Sequence, residues 1–516
     1  MNHVKGIDRD QVTMISLGEM VSQDSIARII DLFVDALPIK ELGFKYAETS
    51  PSGRPAYAPS DMLKLYMYGY RHSIRSSRKL EAACKVNIEV MWLIKGLRPD
   101  DRTIARFRKD NPQAIRKAFR HFVLILKDWD LLDGTTVAID SFKIRAQNSL
   151  KNNLNQKRID RQSAYHQEKI ENYLSALDGD DLQEEEREEL QQKHDHHQGR
   201  KEHFEQMEQQ LKDSGEKQIS LTDPDAKAVV FQRNSIQVGY NIQAACDGKN
   251  KLFIHSDVHG VNDTHALHPM AKEVKDLLQP PTMTTLTDKG YTTAEQLGRC
   301  EKDGIITYSA PKDHSAADNG LFNLDAFTYD QKNDHFICPA GETLSTNGTH
   351  YRKGDHHVKH YKTKPKNCRN CPLRDACTRN KSGKIIERSA TQSVLERNRL
   401  RVEADPQYYR QRQQITEHQF GTLKRQWGFT FTLMKRKANV LAEVELAMLN
   451  YNLCRAVSIL GSDELKSRLN VLFSVFLSII YRLLTTLRQP LTQSELKYRL
   501  AAQFLRGKTQ QQLTLS

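Results

Sequence analysis

The sequence predicts an α/β protein in which an all-α N-terminal region precedes a mixed sheet that carries two insertions. Three observations lead there. Residues 1 to about 130 show apolar positions at three and four spacing, short β-branched runs alternate with helical text from Thr135 onward, and two long polar stretches interrupt that alternation. At roughly 150 residues per domain, the 516 residues correspond to about three domains, or two with large insertions. The boundaries we set are 1–130 (helical N-terminal domain), 131–460 (α/β domain, with insertions at about 150–217 and 312–404) and 461–516 (C-terminal helical segment).

The first region opens its helical text at Pro59-Ser60-Asp61, a turn and capping signal before MLKLYMYGYRHSI, and Asn111-Pro112 divides a later amphipathic pair. These helices carry Arg71, Arg75, Arg78, Lys79, Arg102, Arg106, Arg108 and Lys109. Such a set suits a helix-turn-helix-like DNA reader and suits an ordinary bundle as well. At Thr135 the pattern changes to TVAIDSF, a strand run with Asp140 inside it. Aspartate is disfavoured in strands, and a broken local rule of this kind marks a candidate site.

From about Gln147 to Lys217 the text is polar and free of proline, which predicts a helical hairpin turning near Asp178-Gly179-Asp180. His194, His196 and His197 read there as residues of a polar helix rather than as metal ligands. Strands resume with SIQVGYNIQAACD and KLFIHSDVHG, joined by a turn at Asp247-Gly248. A helix in THALHPMAKEVKDLL, capped by Asn262 or Asp263, is followed by strand MTTLTD, helix TAEQLGRCEKDG and strand IITYSAP. Three antiparallel strands and then alternating helix and strand is the layout of an RNase H-like α/β domain. Its closing helix comes late, after a loop-rich stretch from Lys312 to about Ala404, where Asp405 as N-cap and Pro406 at the first helical position open YYRQRQQITEHQFGTLKRQW.

Charge sharpens the division. The net charge is +13 and the isoelectric point about 9.2, so an acidic partner is the first expectation. Between Lys151 and Glu216 ten basic residues meet seventeen acidic ones, as on a solvated face. Between Asp355 and Lys437 twenty basic residues meet seven acidic ones, and this balance of +13 falls where cysteines and aromatic residues cluster, as on a nucleic-acid surface. The 13-residue apolar run Leu469 to Tyr481 falls short of the roughly 17 to 25 residues that cross a bilayer, so a buried helix is expected. The start, MNHVKGIDRD, lacks a basic and then apolar leader pattern, so a cytoplasmic protein with no membrane partner is expected, its eight cysteines serving as thiols or metal ligands.

Three acids occupy positions that local structure does not explain. Asp140 sits within the first strand, Asp288 at the end of the fourth in TLTDKGY, and Glu417 within the late helix. In an RNase H-like sheet the first and fourth strands are neighbours, and a helix packed there can supply the third carboxylate. Carboxylates are the ligands hard Mg²⁺ or Mn²⁺ prefers, and two such ions about 4 Å apart suit in-line phosphodiester chemistry. Asp257 and Asp263 also lie nearby, in settings that read as turn and cap.

With these residues in view, Tyr57 to Leu460 resembles a bacterial insertion-sequence transposase of the DDE class. The resemblance rests on VAIDSF around Asp140, on TDKGY with Asp288, Gly290 and Tyr291, and on the helix bearing Tyr409, Arg412, Glu417 and Lys424. In that class the helix typically reads Tyr, two residues, Arg, three residues, Glu, six residues, Lys; here four residues separate Arg412 from Glu417. On an ideal helix Glu417 then shares a face with Gln413, Lys424 and Arg410, while Arg412 points away, which makes Arg410 a candidate phosphate clamp. The resemblance implies an RNase H-like catalytic domain that binds Mg²⁺ or Mn²⁺ through Asp140, Asp288 and Glu417. It further implies DNA contacts through Tyr291, Tyr409, Arg412 and Lys424, recognition of terminal inverted repeats, hydrolytic 3′-end cleavage, joining to target DNA, and action as a homodimer. A nuclease that cuts without joining and a zinc-stabilised DNA-binding protein without catalysis are the alternatives.

Cys338 in FICPAG, with Cys368, Cys371 and Cys377 in CRNCPLRDAC, gives four thiols. They suit a structural tetrahedral Zn²⁺, with reduced thiols or an iron–sulfur cluster as the other readings. Cys84, Cys246, Cys300 and Cys454 fall in apolar text and are expected in the core.

Overall fold

The structure is a computed structural model of the chain and describes residues 10, 12, 14–48, 55–178, 183–231, 234–311, 321–353, 356–389 and 391–474. Two compact units emerge from it, one of Met1–Tyr68, Glu81–Pro99 and Ala456–Ser516, the other of Gly69–Leu80 and Asp100–Arg455.

The first unit is helical. Helix α1 (Leu17–Met20) starts on a capping box between Ser16 and Glu19. Helix α2 (Ile26–Asp35), capped by Ser25, buries Ile29, Ile30, Phe33 and Val34 along one face. Helices α3 (Pro59–Arg71), α4 (Ser77–Val86) and α5 (Ile88–Leu93) follow. Lys64 is buried here and pairs with Asp31 at 2.6 Å and Asp35 at 2.7 Å. Residues 462–474 are helical; the rest of the expected apolar helix, 475–481, lies outside the described residues.

In the second unit, α6 (Asp101–Asp110) and α7 (Pro112–Asp128) divide at Asn111, with Pro112 at the first helical position as expected. Strand β1 (Thr136–Arg145) leads into the first insertion, where β2 (Asn153–Leu154), α8 (Gln156–Leu177), α9 (Glu184–Ser214) and β3 (Ile219–Ser220) form a helical hairpin closed by a two-residue ladder. Leu154, Ile159, Phe204, Met207 and Leu211 make its small core. Gly179 and Asp180 of the expected turn lie outside the described residues.

The chain then returns through β4 (Lys227–Val230), β5 (Ile236–Asp247), β6 (Phe253–Val258), α10 (Leu267–Leu278), β7 (Met283–Thr287), α11 (Ala294–Lys302) and β8 (Ile305–Ser309). These strands and β1 form one mixed sheet of order β4-β5-β1-β7-β8, with β6 on the free part of β5. Strand β5 runs antiparallel to β1, β4 and β6, whereas β7 runs parallel to β1 and β8 parallel to β7. The parallel part needs crossovers, which α10 and α11 supply.

Residues 321–389 depart from the loop-rich expectation. There β9 (Thr328–Asp330), β10 (His335–Ile337), β11 (Thr343–Lys353) and β12 (His356–Lys362), two short helices, α12 (Pro365–Arg369) and α13 (Arg374–Cys377), and β13 (Ile385–Ser389) build a five-stranded antiparallel sheet of order β13-β12-β11-β10-β9. Its core is Phe327, Phe336, Leu344, Tyr361 and Ile386. With so few apolar positions on strands written as THYRK or HHVKHYK, the period-two signal is too weak to see in sequence. Helices α14 (Gln392–Ala404), α15 (Pro406–Gly421) and α16 (Lys437–Leu460) complete the unit, with Asp405 capping α15 as expected. No helix among the described residues is long and apolar enough to cross a membrane.

Candidate active site

Strand register brings the first two acids together. Thr136, Val137 and Ala138 of β1 pair in parallel with Thr284, Thr285 and Leu286 of β7. Asp140 and Asp288 each lie two residues beyond Ala138 and Leu286, hence at matching positions on neighbouring strands where the pairing ends. Asp140 accepts from its neighbour Ser141 N–H at 2.8 Å through Oδ1, and Asp288 accepts from Gly290 N–H at 2.7 Å through Oδ1. Burial pushes the Asp140 carboxyl above the usual range; Arg412 opposes the rise and the negative charge of Asp288 adds to it.

Helix α15 lies against the β1 face that carries Asp140. Arg412 Nη1 donates to Asp140 Oδ2 at 2.9 Å, and Thr416 Oγ1 donates to the same oxygen at 3.2 Å. Phe420 packs on Phe142 with ring centroids 4.9 Å apart, and Lys424 Nζ stands 5.5 Å from the Phe142 ring centroid. The face turned to β1 thus runs Arg412, Thr416, Phe420, Lys424. The last step follows a π-helical turn, Thr422–Gln426, which takes up an extra residue and carries Lys424 onto the Thr416 face rather than the Glu417 face. That corrects the ideal-helix expectation: Arg412 points into the site, and Arg410 is exposed. Glu417 is exposed too, and among the described residues it makes no hydrogen bond or ion pair. Tyr409 is half-buried beside Arg412; burial raises its hydroxyl, with Arg412 opposing and Asp288 and Asp140 reinforcing.

A different carboxylate stands next to Asp288. Helix α10 begins at Leu267, later than expected, and its N-cap is Ala266 with no side-chain bond. Asp263 is therefore released from the expected capping role. Its Oδ1 accepts from the buried amides of Asn241 at 2.8 Å and Gln243 at 2.6 Å. A Cβ at position 290 would lie 2.9 Å from Asp288 Oδ1 and 3.3 Å from Asp263 Oδ2, so only glycine lets these two acids approach. Tyr291, expected to meet DNA, is instead fully buried and donates its hydroxyl to Gln243 Oε1. Burial raises that hydroxyl far above its ordinary range, and the charges of Asp263, Asp140 and Asp288 push it further.

A cleft of about 770 Å³ opens beside β1, lined by Ser141, Phe142, Lys143, Arg145 and Lys424 among others. Burial and the adjacent Lys143 depress the Lys424 ammonium, while Asp140 opposes.

Residues 15–110 match the family described as Transposase domain (DUF772), and residues 337–457 match the family described as Transposase DDE domain. Both matched segments are thus similar to transposase domains, the second to the DDE type. No curated protein matches the chain. Among solved structures it is similar to a piggyBac transposase synaptic complex with hairpin DNA, at 11% identity over 93% of this chain and 82% of that one, with a TM-score of 0.30. Helix α15, with Arg412 and Glu417, and the π turn with Lys424 lie inside the DDE match, whereas Asp140, Asp263 and Asp288 lie between the two matched segments.

The donor set of this site suits a hard divalent cation. Two carboxylates at one strand end repel each other, and Asp288 Oδ2 accepts no hydrogen bond among the described residues. Oxygen donors with free lone pairs in a like-charged pair are what Mg²⁺ or Mn²⁺ relieves. Among the described residues, however, no three His, Cys, Asp or Glu side chains form a ready metal-holding group. Sequence reasoning misses Asp263, Thr416 and the supporting Asn241 and Gln243. A signal for the last two exists, as polar side chains spaced by two in an otherwise apolar strand.

Of the arginines expected on DNA, Arg75 and Arg108 are buried around Glu443 of α16, at 2.9 Å and 3.6 Å, so neither meets a ligand at the surface. Arg102, Arg106 and Lys109 form an exposed stripe on α6.

Proposed function

We propose that this chain is a transposase that binds the terminal inverted repeats of an insertion sequence as a homodimer, cleaves the 3′ ends by metal-dependent hydrolysis, and joins them to target DNA on an RNase H-like sheet. The observation that carries the reading is the matched register of Asp140 and Asp288 beneath a helix bearing Arg412 and Lys424. The strand order β6-β5-β1-β7-β8, three antiparallel strands and then two parallel ones, supports the RNase H-like assignment.

We assign Asp140 and Asp288 to Mg²⁺ or Mn²⁺, with Glu417, exposed on an adjoining face of α15, as the third ligand and Asp263 as its rival; the ion when bound would neutralise the charge gathering on phosphorus and lower the pKa of the attacking hydroxyl. The protein's own groups position the DNA. Arg412 has five N–H donors, one on Asp140 and another engaged with the Tyr409 hydroxyl, so the remainder can meet a phosphate oxygen. Lys424, with Lys143 and Arg145 along the cleft, continues the cationic track. Tyr409, half-buried beside Arg412, and the exposed Arg410 are further DNA-contact candidates on α15. Water and a terminal 3′-hydroxyl are equivalent in-line nucleophiles, so one pocket serves both cleavage and joining.

Purified protein with Mn²⁺ and a duplex carrying the DNA that flanks its gene tests this. The expected outcome is a nick at the element end and covalent joining of that end to a second duplex. Cleavage without joining would assign a nuclease, and binding without either a non-catalytic DNA-binding protein.

A further inference from the structure

We infer that the inserted sheet holds a structural zinc ion on Cys338, Cys368, Cys371 and Cys377, a site separate from the carboxylates and independent of the function proposed for them. All four side chains line a single cavity of about 30 Å³, and all four are free thiols. They come from three places: the turn after β10, helix α12 with the turn that follows it, and the end of α13.

Local backbone supports a metal ligand at Cys338. The turn Cys338-Pro339-Ala340-Gly341 closes with Gly341 N–H on Cys338 O at 2.8 Å, and Gly341 takes φ +81, a conformation that glycine adopts without strain. The next amide, Glu342 N–H, then donates to Cys338 Sγ at 3.3 Å. A backbone donor aimed at sulfur fixes its orientation and is the kind of outer contact that supports a metal-bound sulfur.

Charge points the same way. Four thiols that bind Zn²⁺ release four protons and leave a centre of charge −2. Arg374 and Lys384 line the same cavity together with one carboxylate, Glu342, so the surrounding charge of +1 partly balances it. Tetrathiolate coordination selects zinc over the hard ions suited to the carboxylates. The site also has a structural purpose. Among the described residues five buried apolar side chains form the core of this sheet, with Phe322, Leu324, Tyr329, Cys338 and Cys377 packed against them. So small a core needs a staple. As they stand, no three of the sulfurs form a ready ligating group among the described residues, so binding requires the cavity to contract.

The test is metal analysis of the full-length chain purified under reducing conditions without added chelator. The expected result is about one zinc per chain, released when a mercurial titrates the thiols, and an intense thiolate-to-metal absorption when Co²⁺ replaces zinc. Cys371→Ser should lower zinc content at least about tenfold, and Cys371→His, which keeps a ligand, should retain it. Chelation should speed amide exchange in β10 to β13 while β1 and β7 keep their protection. A soluble chain that takes up no zinc or Co²⁺ overturns the proposal, as does bound iron in place of zinc, or a metal content that Cys371→Ser leaves unchanged.

Discussion

The carboxylate site and the thiol cavity gather ligand-type side chains in opposite ways. Asp140 and Asp288 are far apart in sequence and meet because two strands run parallel in fixed register, so the sheet's hydrogen bonds set their spacing. The four cysteines fall within 338–377 and meet through turns and two short helices. A rigid sheet can hold like charges close together because many unrelated contacts oppose their repulsion. A small insertion has no such reserve. We therefore read the first site as built to do chemistry at some cost in electrostatic energy, and the second as built to supply folding energy.

The largest expected effect separates the two directly. Asp140→Asn and Asp288→Asn should each lower end cleavage by at least roughly 10³-fold while DNA affinity changes less than about threefold. Both variants should stay folded: Asp140→Asn loses the ion pair with Arg412 but also the repulsion from Asp288, two effects of opposite sign, and Asp288→Asn loses only the repulsion. Parallel loss of binding and cleavage in a gel-shift and nicking assay would instead mark the acids as structural.

Next comes the support beneath the sheet. Glu443 is buried and accepts from Tyr70, Arg75 and the backbone N–H groups of Leu433 and Met434 at 2.9 to 3.2 Å. Glu443→Ala strands the buried Arg75 and Arg108 and should destabilise the α/β unit by about 3–5 kcal/mol. In hydrogen exchange, β1 and β7 should lose protection before the inserted sheet does. The reverse order would place the weaker fold in the wrong region.

The third carboxylate is the point where these acids can be sorted. Glu417→Gln and Asp263→Asn leave different partners behind: the first removes an exposed charge on α15, the second one held by Asn241 and Gln243. If α15 supplies the ligand, Glu417→Gln should reduce cleavage about as much as Asp140→Asn does, and Asp263→Asn should reduce it by roughly 10- to 100-fold, as for a group that orients a ligand. Single-turnover cleavage rates over a Mn²⁺ titration decide it, and an unaffected Glu417→Gln would move the assignment to Asp263.

Much of this is legible in the sequence, for physical reasons that differ by element. Asp140 stands out because an acid inside VAIDSF breaks strand preference, and the α15 cap because Asp405-Pro406 is a local signal. Asp263 reads as a cap because cap chemistry is local, whereas its actual bonds run to β5, a long-range contact that sequence does not display. The facing of α15 differs from expectation because a π turn is invisible to a 3.6-residue period. The inserted sheet reads as loop because its strands carry many charges on their open face.

The same charges give a smaller, graded effect. Lys359 pairs with Asp334 at 2.9 Å and Arg388 with Glu396 at 2.8 Å, so these two serve the fold of the insertion. Lys362, Lys364, Lys366 and Arg369 stand clear of any ion pair among the described residues. Replacing these four by glutamine should weaken binding to any duplex and flatten the slope of log affinity against log salt by about 0.9 for each phosphate that is no longer neutralised. A slope identical to wild type would remove this surface from the DNA path.

The smallest effect concerns the other insertion, and its sign follows from the proton count. His166 Nδ1 and His197 Nδ1 lie 2.9 Å apart across α8 and α9, a distance that one shared proton satisfies and two do not. Burial lowers both imidazoles from their ordinary value near 6.5; neighbouring His197 and Arg200 lower His166 further, as His196 and Lys169 do His197. A base whose pKa falls on folding stabilises the fold above its unfolded value and loses that contribution as pH drops. The hairpin should therefore be fully stable above about pH 6.5 and fray progressively below it, while the sheet and its carboxylates keep their protection. Exchange measured peptide by peptide between about pH 7.5 and 5.5, corrected for intrinsic rates, reads this directly. His197→Gln should weaken but not abolish that pH dependence, because burial and Arg200 still depress His166 while the contribution of His197 itself is gone.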